Sequence, residues 1–388
     1  MTPDTSADPI ADPPAAQQAP AVVLLLRHFT VGGLERVLLS HVRILIEAGY
    51  RVTVCVLEPG RGNVLVAELL SEARLVVAPR ARLRRLAFLE RLVRDTTVLM
   101  QLGDGRLYPS IRPALRNART VVRFCHSDYS HNRTRRRNLL DRALSRGEDY
   151  IVAVGGRSTR FLLDDVGVAA GKVRTLTNAV EPRSAPAEPP SWEWSRDRYF
   201  VAIQSLYPHK GHDALLRAFA QAAARTDEVI RLVVIGEGDQ NIPLYLLANQ
   251  LGVADRVVWL GAVWRRDLVD SVLAGAVGFV SMSRYEGVPI SVLEARQHGL
   301  PLVLTDIPGH RDGAGTSPAV FTAVDDVDAF AAELLTVLQA SAEPDARRHV
   351  DGTILTEEWE RYRQGFLDIV AEAGGVRPTR PAAGRAAR

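Results

Sequence analysis

Short, wholly apolar runs alternate along this chain with longer stretches in which apolar residues recur every three or four positions. The runs read as strands buried on both faces of a parallel sheet, and the longer stretches as the helices that cover it. Val22–Leu26 is the first run. A turn with two glycines follows, Val31-Gly32-Gly33. Leu34, Val37, Leu38, Val42, Leu45 and Ile46 then mark one face of a helix over Leu34–Ala48, with Gly49 at the C-cap position. Val52–Leu57 is the next strand, so the first elements form a βαβ unit with a right-handed crossover. Further strands are predicted at Leu75–Ala78, Val98–Leu102, Thr120–Cys125 and Tyr150–Val154. After the Pro- and Ala-rich stretch Glu181–Pro190 the rhythm repeats. Strands fall at Tyr199–Ile203, Leu232–Ile235, Val257–Leu260, Gly278–Ser281 and Leu302–Thr305, and a helical pattern over Glu357–Ala371 comes last.

The 388 residues are enough for two cores. The expected layout is a disordered tail over 1–20, a domain over 21–180, a linker over 181–198, a second domain over 199–356, a helix over 357–373 that crosses back to the first domain, and a second disordered tail over 374–388. The fold class is α/β, two doubly wound parallel-sheet domains. In that class the loops at the carboxyl ends of the strands face a cleft between the domains, where a ligand binds.

Composition narrows the function. Only two cysteines occur, Cys55 and Cys125, both in strand runs, which reads as two buried thiols rather than a bridge. No run reaches the roughly 18 apolar residues of a membrane span, and the first residues lack the basic start of a secretory signal. A cytoplasmic protein is expected, with peripheral contact at the inner face of the membrane as a further reading. The net charge of +3 is unevenly spread. Residues 21–180 carry 27 basic and 14 acidic side chains, +13, whereas residues 181–388 carry 21 and 28, −7. A basic half suits an anionic acceptor, a lipid phosphate or a membrane surface, and equally a solvated surface in an Arg-rich chain. Arg133, Arg135, Arg136 and Arg137 concentrate that charge. No nucleic-acid partner is expected. Gly167–Val173 is one residue short of a P-loop and lacks its Ser or Thr, Gly236-Glu237-Gly238 lacks the third glycine of a dinucleotide fingerprint, and no His/Cys grouping has metal spacing.

The most informative segment is Ser283-Arg284-Tyr285-Glu286-Gly287-Val288-Pro289-Ile290-Ser291-Val292-Leu293-Glu294, between a buried strand and a helix. Pro289 suits the first helical position, and Gly299 and Pro301 stop the helix in the expected order. Unpaired N–H groups and the helix dipole at Gly287–Ile290 make an anion site fit for a diphosphate, and Gly287 allows close approach. Lys210, one of only two lysines in the chain, lies in Leu206-Tyr207-Pro208-His209-Lys210-Gly211, just after the first strand of the second half. A cation there can neutralise phosphate charge.

These segments resemble the E-x7-E motif and its companions in retaining glycosyltransferases of the GT-B class, family 4 in particular. The resemblance covers about residues 21–375 and is most specific from Tyr199 to Asp312. It implies two Rossmann-like domains, the first for the acceptor and the second for a nucleoside-diphosphate-sugar donor. It implies that Glu286 lies by the donor sugar, that Glu294 binds the ribose hydroxyls, and that Val288, Pro289 and Ile290 with Gly287 line the diphosphate. It implies that Gly32 and Gly33 face the diphosphate and acceptor, that His126 lies near the transferred sugar, and that the turn at Gly261 holds the base. The family has an Arg five positions before its motif Lys; here that position is Ser205, and Arg284 is the neighbouring candidate to replace it. Asp312 stands where relatives often have Glu. No metal or other cofactor is implied. The alternatives are another enzyme of this architecture, such as a sugar-nucleotide epimerase or glycan phosphorylase, and a catalytically silent protein that binds a sugar nucleotide as part of an assembly.

Overall fold

The structure is a computed structural model and describes residues 19–28, 32–58, 73–101, 108–126, 134–182, 188–341 and 352–374. Of the tails expected over 1–20 and 374–388, residues 1–18 and 375–388 lie outside the described residues, as do Val31, Leu102, Arg133 and residues 183–187 of the Pro-rich stretch. The chain divides into two compact units. The first comprises residues 1–30, 34–176 and 363–388, the second residues 31–33 and 177–362.

The first unit holds a seven-stranded sheet, ordered β3-β2-β1-β4-β5-β6-β7, in which every pairing is parallel. The strands are β1 (Ala21–Leu26), β2 (Arg51–Val56), β3 (Arg74–Val77), β4 (Thr97–Gln101), β5 (Thr120–Cys125), β6 (Tyr150–Ala153) and β7 (Val173–Thr175). Helices α1 (Gly33–Glu47), α2 (Arg82–Leu92) and α3 (Arg135–Ser145) run between them. Val23 and Leu25 join Phe88, Leu89 and Leu92 of α2 in one core cluster. Successive strand residues point to opposite faces, so Leu24 and Leu26, fully buried, face the other layer. On α1, His41 lies flat against Phe366 of the last helix, with ring centroids 4.0 Å apart and planes 2° apart. That last helix, α10 (Gly352–Gly374), is longer at both ends than the apolar pattern indicates. Its end is fixed to the first sheet, where Glu372 accepts from Tyr150 at 3.0 Å and pairs with Arg174 at 2.6 Å.

The second unit holds a six-stranded sheet, ordered β10-β9-β8-β11-β12-β13, again parallel throughout. Its strands are β8 (Arg198–Ile203), β9 (Ile230–Ile235), β10 (Val257–Gly261), β11 (Gly278–Ser281), β12 (Leu302–Thr305) and β13 (Ala319–Thr322). Its helices, in chain order, are α4 (His212–Ala223), α5 (Asn241–Gln250), α6 (Arg266–Gly275), α7 (Ile290–Gln297), α8 (Pro308–Ala314) and α9 (Val327–Ala340). Strand alternation is complete here. Phe200, Ala202, Leu232, Val234, Val280 and Val303 join the α4 and α9 side. Tyr199, Val201, Val233, Ile235, Phe279, Leu302 and Leu304 join the α6 and α7 side. Each such burial contributes about 1.5–3 kcal/mol, and this two-sided demand is why the strands are unbroken apolar runs in the sequence. Of the stretch expected as linker, Trp192 and Trp194 are half-buried against the second core. β7 and β13 carry no long apolar run because both are short sheet edges, mostly half-buried or exposed, β7 broken by Arg174 and β13 ended by Thr322 after three apolar residues.

Candidate functional site

The apolar strands of the second sheet end in polar residues. Gln204 follows β8, Ser281 ends β11 with Ser283 just beyond, and Thr305 ends β12. All four are at least nine-tenths buried at the carboxyl edge of the sheet, where open α/β sheets place ligands. Around them stand Lys210, closing a turn of 3₁₀ helix before α4, Glu286, in the loop between β11 and α7, and His310, on α8.

Lys210 Nζ donates to both Glu286 carboxylate oxygens at 2.7 Å. The lysine side chain keeps 16% of its surface exposed and the glutamate 9%, so the pair is nearly dry. Ser283 Oγ donates to Glu286 Oε1 at 2.9 Å, and Gln204 Nε2 stands 3.4 Å from the same oxygen. Burial pushes the Glu286 carboxyl up, but the charge and hydrogen bonds of Lys210, with His310 and Ser283, outweigh it and hold the group below its ordinary value.

The direction of these hydrogen bonds is fixed from behind. The carbonyl of Thr305 can only accept, so His310 carries its proton on Nδ1, 2.8 Å away. Burial keeps the imidazole below its ordinary pKa, hence neutral at pH 7, and Nε2 is a bare acceptor. Ser281 Oγ, 3.0 Å from Nε2, therefore gives its proton to His310 and accepts from Gln204 Nε2 at 2.7 Å. Gln204 gives its other amide proton to Ser283 Oγ at 2.8 Å. Ser283 then spends its own proton on Glu286. The network thus points donors at one carboxylate and favours its ionised form.

Backbone geometry closes the site tightly. Gly211, at φ +66°, stands where a Cβ would come 2.0 Å from the Met282 carbonyl oxygen. A Cβ on Gly309 would come equally close to the carbonyl of Gly287. The Val288 carbonyl accepts from Asn178 Nδ2 at 3.0 Å. Pro289 caps α7 instead of forming its first turn: with φ −71° and ψ 126° it is extended, and the helix begins at Ile290. Its ring fixes φ and the N-cap needs no N–H, so proline serves there equally well. Glu294 follows one turn into α7, 3% exposed. Gly261 ends β10 at φ +65° and accepts from Gly236 N at 2.8 Å.

Ser205 is half-buried after β8, and its backbone hydrogen-bonds His212, whose pKa burial and Lys210 drive down to about 4. Arg284, the candidate substitute, is tied up elsewhere. It pairs with Asp213 at 3.0 Å and Asp325 at 2.9 Å, and donates to the Pro208 carbonyl. Asp312 is exposed on α8. In the first unit, His126 follows β5 with its ring 6.0 Å from Phe124, and burial takes its pKa to about 4. Gly32 precedes α1 and Gly33 opens it. Of the expected site residues, Lys210 and Glu286 are thus in direct contact, while Ser205, Gly287–Ile290, Glu294 and Gly261 occupy the loops and helix at the same sheet edge. Gln204, Ser281, Ser283, Thr305 and His310 were not expected. Four of them were legible as polar residues terminating apolar runs.

Residues 186–350 match the sequence profile of the glycosyl transferases group 1. This part of the chain is similar to the group 1 glycosyltransferase domain. It contains every residue of the network around Glu286. A lipopolysaccharide 1,6-galactosyltransferase of Salmonella typhimurium is 27% identical over 150 residues, 38% of this chain and 40% of that protein. A UDP-Gal:alpha-D-GlcNAc-diphosphoundecaprenol alpha-1,3-galactosyltransferase of Escherichia coli is 26% identical over 183 residues, 44% and 46% of the two chains. The matched stretch thus spans less than half the length of these relatives. Anabaena Alr3699/HepE, solved in complex with UDP-glucose, has the same fold as this chain. The TM-score is 0.69 at 15% identity, over 91% of this chain and 98% of that one. With two parallel Rossmann-like sheets, the group 1-like domain and the unit before it have the folds of a GT-B glycosyltransferase.

Proposed function

We propose that the protein is a retaining glycosyltransferase of the family 4 type that moves a sugar from a nucleoside-diphosphate donor to an acceptor. The observation that carries this reading is the nearly dry Lys210–Glu286 pair at the carboxyl edge of β8 and β11, with Glu294 one turn into the helix that follows. Lys210 exchanges its carboxylate partner for the donor's phosphates and stabilises the departing diphosphate. Glu286, still held by Ser283, stays anionic beside the oxocarbenium-like sugar. Glu294 takes the ribose hydroxyls, the backbone of Gly287–Ile290 takes the diphosphate, and the turn at Gly261 takes the base. His126, neutral by burial, serves the transferred sugar, and Gly32 and Gly33 the diphosphate and acceptor. The acceptor attacks from the face the diphosphate leaves, and the leaving diphosphate takes its proton. Among the described residues no three His, Cys, Asp or Glu side chains gather as a metal site, and none of these steps calls on one.

The named relatives act on lipopolysaccharide and on a diphosphoundecaprenol-linked sugar, the second of them with UDP-Gal, and Alr3699/HepE binds UDP-glucose. UDP-sugars are therefore the first donors to try, and a cell-envelope glycan or a glycosylated natural product is the product class. Incubation with each donor and candidate acceptors is expected to release nucleoside diphosphate and to give a product whose anomeric proton coupling matches the donor's. An inverted product would refute the retaining assignment. Ser205 in place of Arg, with Arg284 engaged by two aspartates, favours one second reading: a protein that binds the donor without turnover. Donor binding with no diphosphate release under any acceptor would select it.

A further inference from the structure

Two helices of the first unit are rich in arginine. The strand steps β3 to β4 and β5 to β6 run the same way across the sheet, so right-handed crossovers put α2 and α3 on one face. The core agrees, since Phe88, Leu89 and Leu92 of α2 and Leu144 of α3 share one cluster. Between them the helices hold eight arginines and two acids. One acid, Asp141, is buried and paired with Arg123 at 3.1 Å; the other, Glu90, accepts from Asn117.

The outward face of α3 is not merely basic. Leu139 is 64% exposed and Leu140 52%, and Leu83, at the start of α2, is 81% exposed. Leu139 stands one turn from Arg135 and Arg136 on one side and from Arg142 and Ala143 on the other, all exposed. Leu83 has exposed Arg82 and Arg84 beside it. Leucines ringed by arginines fit the boundary between anionic headgroups and acyl chains, where the guanidinium groups meet phosphate while the leucines leave water. A soluble phosphorylated sugar or polyanion would engage the arginines and leave the leucines hydrated.

We infer that the outer face of α3, extended by the start of α2, docks the protein on an anionic lipid bilayer. Such docking needs no turnover and holds whichever sugar is moved.

The full chain is mixed with phosphatidylcholine vesicles with and without phosphatidylglycerol, in low and high salt, and sedimented. Wild type is expected to sediment with the anionic vesicles only and to be released by salt. Arg135→Glu/Arg136→Glu and Leu139→Ser/Leu140→Ser are each expected to lower partitioning by about tenfold. All four sites are exposed, so the fold is retained, which circular dichroism verifies. Failure of wild type to sediment with anionic vesicles would overturn the inference. So would a leucine variant that sediments as well as wild type, since that result describes a site for soluble anions only.

Discussion

Replacing Lys210 with Met is expected to destabilise the second domain by about 2–4 kcal/mol. The magnitude follows from the surroundings of Glu286. Breaking a buried ion pair by removing one partner costs about 3–5 kcal/mol, because the other charge stays buried. Here the carboxylate is 9% exposed and keeps Ser283 as a donor, which returns about 1 kcal/mol. For a domain of this size the loss corresponds to a midpoint lower by about 5–10 °C. The assay is favourable, since all five tryptophans (Trp192, Trp194, Trp259, Trp264 and Trp359) lie in the second unit and none in the first. Tryptophan fluorescence during urea unfolding therefore reports that unit alone. Lys210→Met/Glu286→Gln removes both charges and is expected to recover at least half of the loss. The pair's contribution is complete above the ordinary carboxylate range and disappears as pH falls through the depressed value of Glu286 in the fold. A single variant within about 0.5 kcal/mol of wild type, or a double variant as unstable as the single, would refute the reasoning.

Three further outcomes follow from the same geometry. His310→Phe removes the acceptor that orients Ser281, so the Glu286 carboxyl is expected to titrate higher by carbon NMR, while His310→Gln, which keeps an acceptor there, stays near wild type; equal values in both variants would show that the network does not reach Glu286. Gly211→Ala forces a left-handed φ and a clash with the Met282 carbonyl, and is expected to cost more than about 2 kcal/mol in urea unfolding. His126 and His212 are held neutral by burial, their pKa values driven from the ordinary 6.5 to about 4, so their stabilisation is full above 6.5 and drains away as pH falls toward about 4, and buried His41 shifts in the same direction; a midpoint temperature flat across that window would contradict it.

The strands were legible because burial on two faces leaves little room for polar residues within them, and one exception, Arg123 in β5, is paired with Asp141 and Glu148. Thr120–Cys125, Gly278–Ser281 and Leu302–Thr305 coincide with the apolar runs. The edge strands β7 and β13 were not, since one half-open face relaxes the pattern. At the site, Glu286 and Lys210 stood out by type and spacing. Their contact did not, because 76 residues separate them and only the sheet order, with β11 beside β8, brings the two loops together. The role of His310 was hidden for a different reason. Its meaning depends on which nitrogen holds the proton, and that is set by the Thr305 carbonyl, a group every residue possesses. Pro289 shows the limit of cap rules, since the same ring suits both the N-cap and the first helical position.

The central claim, a nucleotide-sugar site in the second domain, is tested most directly by titrating UDP-, GDP- and dTDP-sugars into wild type and Glu294→Ala in a calorimeter. One donor is expected to bind wild type and to lose its heat of binding in the variant, with the variant still folded by circular dichroism. Absence of binding by every donor, or undiminished binding by the variant, would contradict the assignment.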